Sequence, residues 1–217
     1  MLLLSDLDPG PDDPYVPGAV VIAAPFEGVD GGMPAWDGTD VRKIDQSSLL
    51  NKDFNKPIVS FPKGYVKGNV WVSGDFDKTP AILPLPLSGT LYAVPTLSLT
   101  FTATLSADHK SSTGGVISGA VDTKAFVCAL KPLVLAAFSC SEQIAQPFVD
   151  QFSNWADLSA NAPNFLNPSM PCDAMSLGAV LDWHAVKTPG AQDIVAVPIA
   201  PNACFDGGVV PACDGGF

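Results

Sequence analysis

The chain has 217 residues, 47% of them hydrophobic and only 15% charged, and its 11 basic and 22 acidic residues give a net charge of −11. Singly scattered cations in so acidic a chain leave no stripe to neutralise phosphates, so nucleic acid is excluded as an expected partner, and the same field resists anionic lipid headgroups. The most apolar run, 133–138, falls far short of the roughly 20 residues that cross a bilayer, so no transmembrane segment is expected.

In chain order, residues 1–17 pass from Leu2, Leu3 and Leu4 into a Pro/Asp-rich stretch and read as a mobile tether. This stretch lacks a basic n-region and a full apolar h-region, so we expect that a leader was removed upstream or that the chain belongs to a longer one. The apolar run at 18–25 reads as a first strand, and 26–57 as a long loop carrying Trp36, with a helical turn near 47–51. Loops of that length are uncommon unless they are functional or packed as a lid. Strands are expected at 58–61, 68–76, 81–87, 90–106 and 115–121, with Pro84, Pro86 and Pro95 assigning their segments to edges, bulges or strand starts.

The clearest local signal is residues 96–106. Leu97, Leu99, Phe101, Ala103 and Leu105 fall on one face of an extended chain, and Thr96, Ser98, Thr100, Thr102, Thr104 and Ser106 on the other. Period-2 alternation of this kind predicts a strand with one buried and one wet face, as in an antiparallel sheet. A face of hydroxyls without charge has weak defence against association, so this region is expected to be covered by the 26–57 loop or by a partner chain.

The pattern changes at Asp122. Asp122 or Thr123 reads as the cap of one helix, kinked near Pro132, and Ser141 as the cap of a second that carries Ile144, Phe148, Phe152 and Trp155 at near-helical spacing. After a loop at 159–171, residues 175–184 alternate again as a strand, and 194–199 form the last one. The expected fold is therefore mainly β: an antiparallel β-sandwich or open barrel over 18–217, as a single domain with a two-helix insertion at 122–158 and a disulfide-closed tail.

Five cysteines, Cys128, Cys140, Cys172, Cys204 and Cys213, contain no CxxC pair, and the chain has only two histidines. Disulfides are favoured over a zinc site, which implies an oxidising compartment: extracellular, periplasmic or the outer cell surface. At least two bonds are expected, with Cys128–Cys140 and Cys204–Cys213 the nearest-neighbour pairs and Cys172–Cys204 the main competitor.

Catalytic signals are thin. Asp182 and His184 stand two apart on a predicted strand and could orient a general base, but no Gly-x-Ser-x-Gly elbow supplies a nucleophile, and a solvent-side pair is the simpler reading. His109 reads as a turn residue, and Asp75 with Asp77 as a strand end. Asp30, Asp37 and Asp40 sit on a Gly-rich loop where oxygen ligands could hold calcium, although turn-forming Asp-Gly pairs are the simpler explanation; no other cofactor is expected. Trp71 and Trp183 read as core, which leaves Trp36 as the tryptophan suited to contact a ligand.

Residues 83–91 (Leu-Pro-Leu-Pro-Leu-Ser-Gly-Thr-Leu), the Leu/Thr strand, 114–121 (Gly-Gly-Val-Ile-Ser-Gly-Ala-Val), the helices, and 171–182 (Pro-Cys-Asp-Ala-Met-Ser-Leu-Gly-Ala-Val-Leu-Asp) together resemble β-rich cell-envelope lipoproteins of myxobacteria and related bacteria. The resemblance covers about residues 68–200 and implies an envelope setting without a known activity; this chain has no lipobox cysteine. The expected function is a non-enzymatic secreted or envelope protein acting as a structural or protein-interaction subunit. The alternative is a binding module for an apolar or carbohydrate ligand, and a hydrolase stands third.

Overall fold

A computed structural model describes residues 1–24, 34–74, 80–87, 90–160, 167, 169–187, 189–197 and 204. The chain forms two compact units, each assembled from three stretches: Met1–Phe76, Thr100–Ile117 and Gly178–Pro198 in the first, and Asp77–Leu99, Ser118–Leu177 and Ile199–Phe217 in the second. Among the described residues the fold is mainly β with two α-helices, as expected, and no sheet closes into a barrel.

In the first unit, β1 (Leu2–Leu4), β2 (Gly18–Val20) and β5 (Val59–Phe61) form an antiparallel sheet in the order β1-β2-β5. Residues 1–17 are therefore not a tether. Leu2–Leu4 pair with Gly18–Val20, Val16 is fully buried, and Asp13 bridges to Val66 through backbone hydrogen bonds. The apolar Leu-Leu-Leu triplet finds a partner strand sixteen positions on, and that pairing satisfies its backbone groups.

Strands β6 (Tyr65–Lys67) and β7 (Val70–Val72) form a hairpin, and β7 continues onto β9 (Thr90–Leu105) with Trp71 opposite Ala103. Trp71 is the centre of this core. It is 0% exposed, donates its indole N–H to the Val16 carbonyl at 2.9 Å, and packs against Phe61, which in turn meets Phe101. Gly18 is required beside it, because a Cβ there would lie 2.4 Å from the Trp71 ring. A second cluster gathers Val21, Ile44 and Leu49, with Leu3, Phe54 and Ile194 against it.

The region 26–57 is more structured than a loop over its described part. It holds β3 (Asp37–Val41), β4 (Ile44–Asp45) and two 3-10 turns, the first capped by the Asp45 carboxylate accepting from the Ser47 N–H. Strand β3 pairs in parallel with β12 (Ala185–Lys187), and β4 with β13 (Ile194–Val195).

The second unit contains β8 (Pro80–Leu87) paired antiparallel with the first part of β9, from Pro80 opposite Leu97 to Leu87 opposite Thr90. Strand β8 has β9 as its partner strand, and its prolines lack the N–H that a second neighbour would require. The alternation along β9 is not uniform. Val94 and Thr96 are buried, Ser98 takes a left-handed φ of 51°, and then Leu99, Phe101, Ala103 and Leu105 are buried. The turn of the backbone at Ser98 inverts the side-chain parity, so Thr96, expected on the wet face, is 0% exposed.

Strand β10 (Ser112–Asp122) leads directly into α1 (Thr123–Ala137), where the Asp122 carboxylate caps the helix by accepting from the Ala125 N–H at 2.8 Å. Helix α2 (Glu142–Ser153) packs on α1 through Phe126 with Phe152, and Lys131 pairs with Glu142 at 3.1 Å. Strand β11 (Ala174–Leu181) follows, ending three residues before the predicted limit at 184. Asp157 fastens the return loop to it, accepting from both the hydroxyl and the N–H of Ser176; the hydroxyl contributes most to holding that carboxyl below its ordinary pKa.

The disulfide differs from the expected Cys128–Cys140 pair: Cys140 bonds Cys204, with Cα atoms 5.1 Å apart. The reason lies in α1. Seven residues of helix carry the chain from Cys128 to Leu135, about 10 Å along the axis at 1.5 Å per residue, and the Cys140 N–H is held at the Leu135 carbonyl, whereas bonded Cα atoms stand within about 7 Å. Cys128 is itself disulfide-bonded, and Cys172 is a free, exposed thiol. Cys213 lies outside the described residues.

Candidate functional site

A cleft of about 470 Å³ in the first unit gathers residues that are scarce in the chain. Both histidines, His109 and His184, line it, as do Trp36 and Trp183 of the four tryptophans. Leu4, Leu7, Ala103 and Leu105 give it an apolar part. Arg42, Lys110 and Asp182 bring charge, and Ser111 and Ser112 bring hydroxyl groups.

Trp36 and His184 meet because of the parallel β3–β12 pairing. Asp37 stands opposite Ala185, so the residues immediately before each, Trp36 and His184, lie side by side. Their rings stack with centroids 5.0 Å apart and planes tilted by 35°. Trp36 is nevertheless 41% exposed.

Trp36 also adopts φ 57°, a left-handed conformation that is an outlier for so bulky a residue. One carboxylate holds it there: Asp40 accepts from the Ala35 N–H at 3.0 Å on one oxygen and from the Trp36 N–H at 2.6 Å on the other. Asp37 folds onto Thr39, accepting from its hydroxyl at 2.6 Å and its N–H at 2.9 Å. These contacts, the hydroxyl first, hold the Asp37 carboxyl below its ordinary range. Asp37 and Asp40 thus organise the turn that presents Trp36. Asp30 lies outside the described residues, and among the described residues no group of three His, Cys, Asp or Glu side chains could hold a metal ion.

Trp183 is half-buried rather than core, and it is fixed by position. Its indole N–H donates to the Thr102 carbonyl at 3.3 Å, crossing β10 at Gly115. A Cβ at 115 would fall 2.0 Å from the Thr102 oxygen and 2.3 Å from the indole nitrogen, so only glycine leaves the passage open.

Asp182 and His184 lie beyond the end of β11 and are both exposed, with no hydrogen bond between them among the described residues. His184 is turned toward Trp36 instead. His109 is a turn residue as expected, at φ 57°, with Nδ1 3.0 Å from the Asp8 carbonyl and Nε2 3.4 Å from Asn69 Oδ1. Asp75 and Asp77 lie outside the described residues. Sequence reading missed the convergence of Arg42, Lys110, Trp183 and both histidines. The signal that could have found it was rarity: two histidines, each next to a lysine or a tryptophan.

No protein-family model, no curated protein and no solved structure matches this chain.

Proposed function

We propose that this protein is a non-enzymatic binding module of the cell exterior that takes a small ligand in the cleft beside Trp36. The observation that carries the reading is Trp36 itself: a large aromatic side chain, 41% exposed, held in an unfavourable backbone conformation by the Asp40 carboxylate. Strained residues persist where the surroundings over-determine them, and they concentrate at ligand sites. A cleft of this size, part apolar with a few convergent polar groups, suits a small molecule. The exposed Asp182 and His184 lend no support to a hydrolase. The Cys140–Cys204 disulfide and the resemblance to envelope lipoproteins favour an exterior setting.

Thermal-shift screening of the purified protein against saccharides, alkyl amphiphiles and aromatic compounds tests this reading, with Trp36→Ala in parallel. At least one class should raise the melting temperature of the wild type through linkage and leave Trp36→Ala unmoved. A shift that persists undiminished in Trp36→Ala, or the lack of any shift, would remove the cleft from consideration.

A protein-interaction role is the second reading, and a specific surface favours it. On α2 and just beyond it, Ile144, Phe148 and Trp155 are 56%, 53% and 55% exposed. Ile144→Gln with Phe148→Gln should abolish any concentration-dependent association seen by sedimentation; association that survives the pair counts against this face.

A further inference from the structure

The six-stranded sheet has open sides at β6, β8 and β11, and the first two are defended. The prolines of β8 withhold donors, while β6 is covered by the Asp13–Val66 bridge and carries the Lys67–Asp12 ion pair. Strand β11 is covered over its first half. Ala174 exchanges hydrogen bonds with Leu158, and the Ser176 N–H donates to Asp157. Beyond Ser176 no described residue continues that cover. Gly178, Ala179 and Val180 are exposed, Val180 at 83%, and residues 175–181 contain neither charge nor proline.

The backbone of this stretch is aimed outward. Alternate residues of an antiparallel strand point their N–H and C=O groups to the same side, so Gly178 and Val180 aim theirs where Ala174 and Ser176 do, away from β10. Leu181, of the other parity, turns its carbonyl toward β10, 3.6 Å from where a Cβ of Gly114 would stand. Gly178 and Val180 thus present two donors and two acceptors, and no described residue hydrogen-bonds them.

We propose that this edge pairs with the same edge of a second copy, antiparallel about a two-fold axis at Ala179. That axis sets Gly178 of one copy opposite Val180 of the other. Each such pair exchanges both hydrogen bonds, so every outward group on both copies is satisfied. The side chains select a second copy over an arbitrary strand. Val180 is a branched residue almost wholly in solvent, and a Cβ built at Gly178 meets nothing within 4 Å. Directly opposed residues share a face, so each Val180 fills the space left open by the other copy's Gly178. The ladder stops short of Ser176, whose N–H Asp157 already occupies. One free edge per chain closes the assembly at two. No ligand in the cleft is needed for it.

The test is sedimentation of the whole chain from about 10 µM to about 1 mM, in about 20 mM and about 0.5 M NaCl. A monomer–dimer equilibrium is expected, tighter at high salt because the two chains, each of net charge −11, repel less when screened. Val180→Lys and Val180→Pro should each weaken it at least about tenfold. The first sets like charges diagonally across the axis, and the second deletes an outward N–H. Both should keep the wild-type urea midpoint, since residue 180 is exposed; should Val180→Pro fail to fold, Val180→Lys decides. In a Cys172→Ser background, Ala179→Cys should form an intermolecular disulfide at least about tenfold faster than Val180→Cys. On the axis the Cα atoms of residues 179 would stand about 4.5 Å apart, within disulfide reach, whereas residues 180 lie diagonally at about 7–8 Å.

A monomer at about 1 mM in high salt, assembly beyond the dimer, or equal cross-linking at 179 and 180 overturns the proposal. So does association that Val180→Lys leaves intact. If that surviving association is lost in Ile144→Gln/Phe148→Gln, it belongs to α2, and the cleft reading is untouched.

Discussion

Gly115→Ala is the perturbation most directly computed from the structure. The added methyl would sit 2.0 Å from the Thr102 carbonyl oxygen and 2.3 Å from the Trp183 indole nitrogen, both far inside contact distance. The indole can swing away, at the loss of its hydrogen bond to Thr102, worth about 1 kcal/mol. The carbonyl belongs to β9 and moves only with its strand, so overpacking adds about 1–3 kcal/mol. The sum is about 2–4 kcal/mol, to be read from urea unfolding followed by tryptophan fluorescence. The double variant Gly115→Ala/Trp183→Ala divides the two sources: it should recover only part of the loss, because the backbone oxygen remains in the way. A Gly115→Ala protein within about 0.5 kcal/mol of wild type would refute the reasoning, placing that substitution among ordinary surface changes.

Trp71→Ala should be more severe, about 4–6 kcal/mol in the same assay, from the buried cavity plus the Val16 carbonyl left unpaired; a loss under 2 kcal/mol would mean that the core closes over the gap. Acid should weaken the fold. The carboxyls of Asp13, Asp37 and Asp157 are held below their ordinary value of 3.8, so the stability they contribute is complete above that pH and is lost as pH falls through the lowered values. The urea midpoint should therefore drop between pH 6 and pH 2.5, and Asp157→Asn should flatten that drop; a midpoint unchanged over this range contradicts the hydrogen bonding described. Reducing the Cys140–Cys204 bond opens a loop of sequence separation 64, worth about 4 kcal/mol on the chain-entropy estimate, and non-reducing peptide mapping should recover that pair and no Cys128–Cys140 peptide.

Elements with a local signature were legible in the sequence. The strand at 96–106 with its buried Leu99, Phe101, Ala103 and Leu105, the prolines of β8 and the Asp122 cap each act within a few residues, and each emerged where expected. Ser98 shows where such reading fails: nothing in Leu-Ser-Leu announces a left-handed residue, yet it reverses which neighbours are buried. The cleft was less legible still. Trp36 was singled out because it stood alone in a long loop, but its partner His184 lies 148 positions on, brought in by parallel pairing of two short strands. Strands this short carry no period of their own, and only the assembled sheet specifies their partners. The helix that separates Cys128 from Cys140 was itself foreseen; its length in ångströms was the missing step.

The assembly of each unit from three separate stretches has a consequence for biosynthesis. When Phe76 leaves the ribosome, the first unit still lacks Thr100–Ile117 and Gly178–Pro198. Close to 100 further residues separate Phe76 from Gly178, roughly 5–20 s of translation at 5–20 residues per second. Throughout that interval β3 has no β12 to pair with, and the first unit cannot be completed. Any machine that handles the chain during synthesis therefore meets a first unit that is not yet complete.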